Sequence, residues 1–326
     1  MKRASTYGEV MMSSVPLIDL TAAGDLGFTA RDHLVAAVDT ACRDVRFFTI
    51  TGHPVSHELQ IGILAAGQEF FDQSSAKKAE IAIEQSNHHR GYAGIGAEQL
   101  QPDLPGDAKE TLDFGIERSL DDPGCSPLEG PNQWPDLPGF RDTVERYQTT
   151  ARGTASLLLG VIATALDLPV DFFEPGLVHP LLGTRMVHYP PMPNQQINQQ
   201  LGCGAHSDYG CLTLLLTDGV PGLQLLRRDD TWVDVDASAG DLIVNLGDLL
   251  GRWTNDVYRS TKHRVLSPAD QHRYSVPVFV DPGYDTYVEV LGSCIDATRP
   301  SRYKPVRAGD YLRSRFDDTF AYRQGD

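Results

Sequence analysis

Eight short runs of strand-forming residues in the second half of the chain constrain its fold more than any other feature. From Thr184 onward, stretches rich in Val, Leu, Thr and Tyr alternate with Gly, Pro and Asp. Many short strands separated by turn residues are typical of a β-sandwich or jelly roll. The runs are RMVHYP, LTLLLTD, LQLLRR, TWVDV, DLIVNLG, HRVL, RYSVPVFV and TYVEVL. The sequence therefore predicts a mainly β core.

Helices are predicted on both sides of this core. Residues 57–71 and 74–83 have helical character, and Ser74 is a candidate N-cap. Residues 140–168 contain SLLLGVIATAL, which is apolar nearly all round, as expected of a helix buried against a sheet. The final segment, GDYLRSRFDDTFAYR, predicts a terminal helix that docks through Tyr311, Leu312 and Phe316.

Short strands accompany the N-terminal helices, in VPLIDL and FFTITGH, so that the chain divides into three parts. We expect residues 1–180 to form a mixed α/β region that packs on the β-barrel of the core, and residues 181–300 to form that core. Residues 301–326 form the terminal helix and tail. We expect the three parts to make one integrated catalytic unit.

The segment 87–135 is rich in Gly, Pro, Asp and Asn and predicts a surface loop with short strands. Loops of this length often act as lids over a site. We expect the adjacent His88 and His89 to lie in an exposed part of it. Arg90 and Tyr92, beside them, are candidates for contact with substrate.

Composition excludes several classes of function. The formal net charge is −16, which disfavours nucleic acid and anionic membrane surfaces as partners. The five cysteines include no C-x-x-C pair, which argues against a disulfide framework or a zinc ribbon. The N-terminal residues lack the apolar core of a signal peptide, and no segment approaches the roughly 20 apolar residues of a membrane span. We expect a cytoplasmic enzyme acting on a small molecule; the oligomeric state is left open.

A candidate metal site lies in the β-rich half. In GAHSDYG, His206 and Asp208 stand two residues apart at the end of a predicted strand, so their side chains share a face. His263 opens another apolar strand, 55 positions after Asp208. Two histidines and one carboxylate leave coordination positions open, an arrangement suited to iron(II) oxygen chemistry.

A candidate carboxylate-binding pair follows on the next strand. Arg273 and Ser275, in RYSVPVF, share one strand face by alternation. A guanidinium group binds a carboxylate through two parallel hydrogen bonds, and a neighbouring hydroxyl adds a third. The pair therefore predicts a site for a carboxylate that bridges to the metal.

Motifs along nearly the whole chain resemble the isopenicillin N synthase-like branch of the 2-oxoglutarate and iron(II)-dependent dioxygenases. They include VPLIDL, FFTITGHPV, RGYAGIGAE, KETLDFGIE, MVHYPP, HSDYGCLTLL, GDLIVNLGDLL, HRV and RYSVPVFVDP. The resemblance implies a double-stranded β-helix core with flanking helices. It implies iron(II), 2-oxoglutarate and dioxygen as reactants, with succinate and CO2 released as a small organic molecule is hydroxylated, desaturated or cyclised.

The resemblance also implies residue roles. His206, Asp208 and His263 correspond to the iron ligands, and Arg273 with Ser275 corresponds to the grip on the distal carboxylate of 2-oxoglutarate. Tyr189, in MVHYPP, corresponds to a tyrosine that adds a hydrogen bond near that carboxylate. Four further residues before His263 are candidates for orienting the ligands: Asn245, Asp248, Trp253 and Asn255.

The chain departs from the family pattern at two positions: Arg46 replaces a usual glycine, and Val187 replaces a frequent asparagine. Two other functions stay open. One is an oxidase like isopenicillin N synthase, which uses iron and oxygen without 2-oxoglutarate and in which a C-terminal Gln, in a place comparable to Gln324, ligates resting iron. The other is a metal-binding scaffold without turnover.

Overall fold

Two β-sheets face each other in the computed structural model, which describes residues 15–23, 28–193 and 200–319. The helices within these residues are α1 (Phe28–Asp44), α2 (His57–Phe71), α3 (Ser75–Ala79), α4 (Phe140–Ala165), α5 (Asp248–Trp253) and α6 (Ala308–Thr319). The first seven strands are β1 (Leu17–Asp19), β2 (Phe47–Thr51), β3 (Gly91–Ala93), β4 (Glu110–Gly115), β5 (Leu181–Tyr189), β6 (Cys203–His206) and β7 (Leu212–Thr217). The others are β8 (Leu223–Leu226), β9 (Trp232–Asp234), β10 (Leu242–Leu246), β11 (His263–Val265), β12 (Arg273–Asp281), β13 (Tyr287–Val288) and β14 (Val306–Arg307).

The larger sheet has eight strands in the order β1-β2-β10-β7-β12-β5-β4-β3, and the smaller sheet has four in the order β6-β11-β8-β9. All neighbours are antiparallel except the β1–β2 pair. The mainly β core with flanking helices, predicted from the eight runs, is confirmed. Each of the eight runs contributes a strand.

The N-terminal region forms part of the barrel itself, because β1 to β4 are strands of the larger sheet. β2 pairs with β10 on one side, and β4 pairs with β5 on the other. The N-terminal region therefore contributes strands to the larger sheet in addition to packing on it. Backbone hydrogen bonds, rather than side-chain packing alone, join this region to the core.

The predicted helices are confirmed, and they cover one face of the larger sheet. α2 and α4 pack against β5 and β12, and their apolar residues share a large core with the outward face of these strands. α2 is capped by Ser56, and α3 by Ser74 as predicted. A second, smaller apolar cluster fills part of the space between the two sheets and includes Val187, Leu225 and Ile243.

β4 is the main departure in the segment predicted as a surface loop, since all six of its residues are buried. Its charged side chains have partners far along the chain. Glu110 pairs with Lys78 at 2.7 Å, and Asp113 pairs with Arg185 at 2.7 Å. Such long-range ion pairs make a strand of mixed polarity tolerable in the interior.

Arg46, at the position where the family usually has glycine, lies just after α1 with φ of 66°. Its N–H donates to the carbonyl of Ala41 at 2.7 Å, which closes the helix end. Glycine is favoured at such a left-handed position because it has no Cβ. Arg46 therefore adopts a backbone conformation that costs free energy here.

Candidate metal centre and its two cavities

His206, Asp208 and His263 come together between the two sheets, as the sequence predicts. His206 ends β6 and His263 begins β11, and the two residues are direct partners in the antiparallel pairing of these strands. Asp208 Oδ1 lies 3.7 Å from His206 Nε2 and 3.6 Å from His263 Nε2. One ligand atom from each residue lies within 4.8 Å of the others, and no other such group of three is found in the part of the chain that the structure describes.

Hydrogen bonds orient all three side chains so that one atom of each is left for a metal. His206 Nδ1 bonds the carbonyl of Gly204 at 2.8 Å, and His263 Nδ1 bonds the carbonyl of Thr261 at 3.2 Å. Both rings therefore present Nε2 to the centre. The second oxygen of Asp208 is held separately.

Asp208 Oδ2 accepts hydrogen bonds from Asn245 Nδ2 at 2.6 Å and from Thr213 Oγ1 at 2.5 Å. These bonds fix the carboxylate and leave Oδ1 facing the histidines. Of the four residues predicted to orient ligands, Asn245 is the one whose side chain touches a member of the triad. Partners of this kind hold metal ligands in place and tune their affinity.

Electrostatics favour the metal-binding protonation states of His263 and Asp208. Burial, reinforced by the neighbouring His206, lowers the pKa of His263 to about 4, so this imidazole is neutral at physiological pH. Burial alone would raise the pKa of Asp208, but the two histidines, helped by Thr213 and Asn245, outweigh it and lower that pKa. A neutral imidazole at His263 and an ionised carboxylate at Asp208 fit a divalent cation.

An inner cavity lies on one side of the triad and is lined by Tyr189, Arg273 and Ser275, among other residues of both sheets. Tyr189 pairs with Arg273 in the β5–β12 register, and the guanidinium carbon lies 4.9 Å from the centre of the tyrosine ring. The structure thus brings the three predicted co-substrate residues together.

Arg273 is 1% exposed, and its hydrogen bonding is incomplete. Its Nε donates to the carbonyl of Val220 at 3.1 Å, whereas Nη1 is buried and has no partner among the described residues. A buried guanidinium nitrogen without an acceptor is costly. The inner cavity therefore fits an anionic ligand that reaches Arg273.

A buried network of charged side chains, which the sequence did not predict, lies at the wall of the inner cavity. Lys109 pairs with Asp107 and, at 2.7 Å, with Glu98, and Glu98 also accepts from Arg185 at 3.2 Å. Asp107 accepts the backbone N–H of Gly204 at 3.0 Å, and the carbonyl of the same Gly204 bonds His206. The network therefore links β5 and the segment before β4 to β6, the strand that carries His206. Burial alone would lower the pKa of Lys109, but the neighbouring acidic groups raise it well above its usual value.

An outer cavity also borders the triad and shares His206, Asp208 and Arg185 with the inner one. The C-terminal helix α6 covers part of it: Leu312 is buried, and Phe316 stacks on His89 with ring centres 4.8 Å apart. The predicted docking of α6 is confirmed, while Gln324 lies outside the described residues.

Three predictions for residues at and just before β3 have different outcomes. Arg90 lines the outer cavity, although its guanidinium group donates to the carbonyls of His88, His89 and Leu128. His89 is 5% exposed and packs under α6, so the prediction of an exposed loop is wrong for this residue. Tyr92 does not line the cavity; its hydroxyl donates to Glu110 Oε2 at 2.7 Å, and its ring packs on Phe70.

The other candidate orienting residues have structural roles. Asn255 donates to the carbonyls of Cys294 and Pro300, and Trp253 packs edge-on against Phe173. The carboxylate of Asp248 accepts from Ser207 and Ser260. Its backbone N–H donates to the carbonyl of Asp208 at 2.8 Å, so it supports the loop that carries this ligand.

Comparison with known proteins agrees with this arrangement. Residues 15–137 match the family model described as the N-terminal part of non-haem dioxygenases in morphine synthesis, and residues 181–282 match that of the 2OG-Fe(II) oxygenase superfamily. The chain is similar to the 2-oxoglutarate-Fe(II) type oxidoreductase hxnY of Emericella nidulans, with 34% identity over 316 residues covering 94% of this chain and 90% of that protein. It is also similar to homoarginine-6-hydroxylase 2-ODD-C23.1 of Arabidopsis thaliana, with 31% identity covering 94% and 98% of the two chains.

The fold is shared with a protein of known structure. The crystal structure of a full-length Neurospora crassa protein in complex with alpha-KG and thymine superimposes with a TM-score of 0.83 at 27% identity, covering 93% of this chain and 96% of that one. The predicted double-stranded β-helix is thereby confirmed. The chain belongs to the 2-oxoglutarate and iron(II)-dependent oxygenases, and it is an oxidoreductase that uses iron(II), 2-oxoglutarate and dioxygen to oxidise a small molecule.

Proposed function

We propose that His206, Asp208 and His263 hold iron(II), and that the inner cavity holds 2-oxoglutarate while the outer cavity holds the substrate. The observation that carries this assignment is the buried, unpartnered Nη1 of Arg273, a residue that lines the same inner cavity as the triad. When bound, the metal and 2-oxoglutarate supply the oxidising power for attack on a substrate C–H bond, with release of succinate and CO2.

In this assignment, Arg273 binds the distal carboxylate of 2-oxoglutarate through its guanidinium group. Ser275 and Tyr189 complete the polar surface around it, and burial raises the pKa of Tyr189 to about 12, so its hydroxyl stays protonated and can donate. The position of Val187 on the same wall gives that side of the cavity an apolar surface. The residues thus orient one end of a dicarboxylate and exclude water from its other side.

The outer cavity presents substrate to the metal from the opposite side. Its walls combine apolar residues such as Leu128, Phe279 and Phe316 with several carboxyl side chains. Arg90 shapes one wall through its three bonds to backbone carbonyls. The reaction is hydroxylation, desaturation or ring closure of a small organic compound.

The composition and the cysteines of the enzyme bear on its partners and on the compartment in which it acts. The net charge of −16 supports the absence of a nucleic-acid or membrane partner. All five cysteines are unpaired, which supports a reducing cytoplasm. No helix among the described residues has the length and apolar character needed to span a bilayer.

Anaerobic titration tests the proposal. Adding iron(II) and then 2-oxoglutarate to the purified protein is expected to produce the visible charge-transfer band of the chelate, and air is expected to release succinate. Asp208→Ala should abolish both, whereas Asp236→Ala, which removes an exposed carboxylate of the same half of the chain, should preserve both. Normal succinate release by Asp208→Ala would refute the assigned metal site. Oxygen uptake that depends on substrate but not on 2-oxoglutarate would instead favour an oxidase.

A further inference from the structure

Asp281 occupies a position in the outer cavity that the proposed function does not use. It is the last residue of β12, and alternation places it on the same face as Arg273, Ser275 and Phe279. The side chain is 7% exposed and lines the cavity beside the metal ligands His206 and Asp208.

One carboxyl oxygen of Asp281 is used by the protein, and the other is not. Oδ1 accepts the backbone N–H of Cys211 at 2.6 Å. The backbone at Gly210 lies so close to Asp281 that a Cβ at Gly210 would overlap this oxygen. Within the described residues the carboxyl group has no other hydrogen bond and no ion pair, so Oδ2 remains an acceptor at the cavity wall.

This lack of a positively charged partner distinguishes Asp281 from the other carboxyl groups that line the outer cavity. Glu98 pairs with Lys109 and Arg185, Asp113 pairs with Arg185, and Glu129 pairs with Arg118 at 3.3 Å. Asp208 belongs to the metal centre. Burial raises the pKa of Asp281 to about 7.

The two guanidinium groups on the cavity wall are already engaged by protein groups, so the wall offers little to an anionic substrate. Five carboxyl side chains and two guanidinium groups line it within the described residues. Of the two guanidinium groups, Arg185 is paired with Asp113 and Glu98, and that of Arg90 donates to backbone carbonyls. Among the described residues of this wall, and apart from the metal-facing oxygen of Asp208, the carboxyl oxygen without a protein partner is Oδ2 of Asp281, opposite apolar and aromatic surfaces.

We infer that the substrate is a small molecule with an apolar or aromatic body and a nitrogen group that donates a hydrogen bond to Asp281 Oδ2. The inference rests on the proposed function, because it assumes that substrate occupies the outer cavity. A buried carboxyl group gains most from such a donor because the cavity excludes competing water. The donor is a protonated amine or an N–H of a heterocycle, and the two forms share this chemistry.

Asp281→Asn separates this role from a structural one. The Cys211 N–H needs an acceptor, so it orients the amide with its oxygen toward Cys211 and its NH2 toward the cavity. The substitution keeps the internal hydrogen bond and the side-chain shape, but it turns an acceptor at the cavity wall into a donor. If Asp281 only holds Cys211, the variant should bind ligands as the wild type does.

The experiment compares matched ligands that differ in one atom. Binding of tetrahydroisoquinoline and isochroman, and of indole and benzofuran, is measured by calorimetry under argon on protein loaded with iron(II) and 2-oxoglutarate. We expect the wild type to bind the N–H member of at least one pair about tenfold or more tightly than its oxygen counterpart. A preference in the first pair identifies a cation, and one in the second pair identifies a neutral N–H group.

In Asp281→Asn the preference should vanish or reverse. Glu129→Gln is the matched control, because it removes one negative charge from the same cavity but replaces a carboxylate whose oxygens already bind Arg118 and the Ser126 N–H. It should keep the preference. If Asp281→Asn does not fold, the wild-type comparison alone decides the question.

Equal affinities within both pairs, binding of oxygen members only, or no binding of any nitrogen member would overturn the inference. So would an unchanged preference in a folded Asp281→Asn protein. Succinate release without added substrate is measured in parallel. If it persists, the metal and 2-oxoglutarate assignments stand and only the substrate inference fails; if it is absent in the wild type, the proposed function itself fails.

Discussion

Replacing Arg273 with methionine should weaken 2-oxoglutarate binding strongly without destabilising the ligand-free protein. Methionine preserves most of the side-chain length but removes the guanidinium group and its stacking on Tyr189. In the ligand-free protein, that group makes one hydrogen bond, from Nε to Val220, while Nη1 is buried without a partner among the described residues. Losing one hydrogen bond and one buried charge should roughly cancel in the free energy of unfolding.

The effect on binding can be estimated from the lost contacts. A hydrogen bond to a charged group contributes roughly 1.5–3 kcal/mol, and a bidentate pair contributes toward the upper end or beyond it. Since about 1.4 kcal/mol corresponds to tenfold in affinity, we expect the dissociation constant of 2-oxoglutarate to rise about 100-fold or more. Lysine at the same position keeps the charge but not the planar fork, so it should give a smaller loss.

The assay is calorimetric titration of 2-oxoglutarate into the iron-loaded protein under argon, paired with denaturant unfolding of the ligand-free protein. Arg264→Met is the matched control, because Arg264 belongs to the same barrel but stacks on Trp232 with its guanidinium carbon 4.1 Å from the ring centre. The reasoning would be refuted if Arg273→Met bound 2-oxoglutarate almost as tightly as the wild type, or if the ligand-free variant lost several kcal/mol of stability.

Four further predictions follow from single contacts. Asn245→Leu removes a hydrogen bond from Asp208 and should weaken iron(II) binding by about 10- to 100-fold in a direct metal titration, while the fold is retained by circular dichroism. Lys109→Met leaves buried carboxylates without their cation and should cost about 3–5 kcal/mol in urea unfolding; a loss below about 1 kcal/mol would contradict the importance of the network. Arg46→Gly relieves a left-handed backbone conformation and should stabilise the protein by about 1 kcal/mol, seen as a higher melting temperature. Asp281→Asn should stabilise the metal-free protein at high pH, because the folded-state pKa is about 7 against an unfolded value of 3.8. The wild type therefore loses stability as pH rises between these values, by up to roughly 4 kcal/mol, so in unfolding titrations the difference from the variant should be absent near pH 4, grow up to pH 7 and be complete above it.

The parts of the site that local patterns determine were predictable from the sequence. Alternation along a strand placed Arg273 and Ser275 on one face, and the H-x-D spacing brought His206 and Asp208 to one end of β6. The pairing of His263 with His206 is a long-range contact, and here the family resemblance supplied what spacing alone leaves open. The same alternation extends from Ser275 to Phe279 and Asp281, so Asp281 could have been found by following β12 to its end.

Other features depend on contacts that no local pattern contains. The segment around β4 was predicted to lie on the surface because it is rich in Gly, Pro, Asp and Asn, yet β4 is buried, and the partner of its Asp113 lies 72 positions away. Tyr92 was a candidate for contact with substrate because it lies in the predicted lid beside Arg90, but its hydroxyl is bound by Glu110 of β4. His89 is buried only because α6 folds back over it from the other end of the chain.

A crystal structure of the protein grown without oxygen in the presence of iron(II) and 2-oxoglutarate tests the central claim most directly. We predict one metal ion bound to His206 Nε2, Asp208 Oδ1 and His263 Nε2, with the distal carboxylate of 2-oxoglutarate on Arg273 in the inner cavity and the outer cavity open to substrate. A metal held by other residues, or 2-oxoglutarate bound in the outer cavity with Arg273 untouched, would contradict the account.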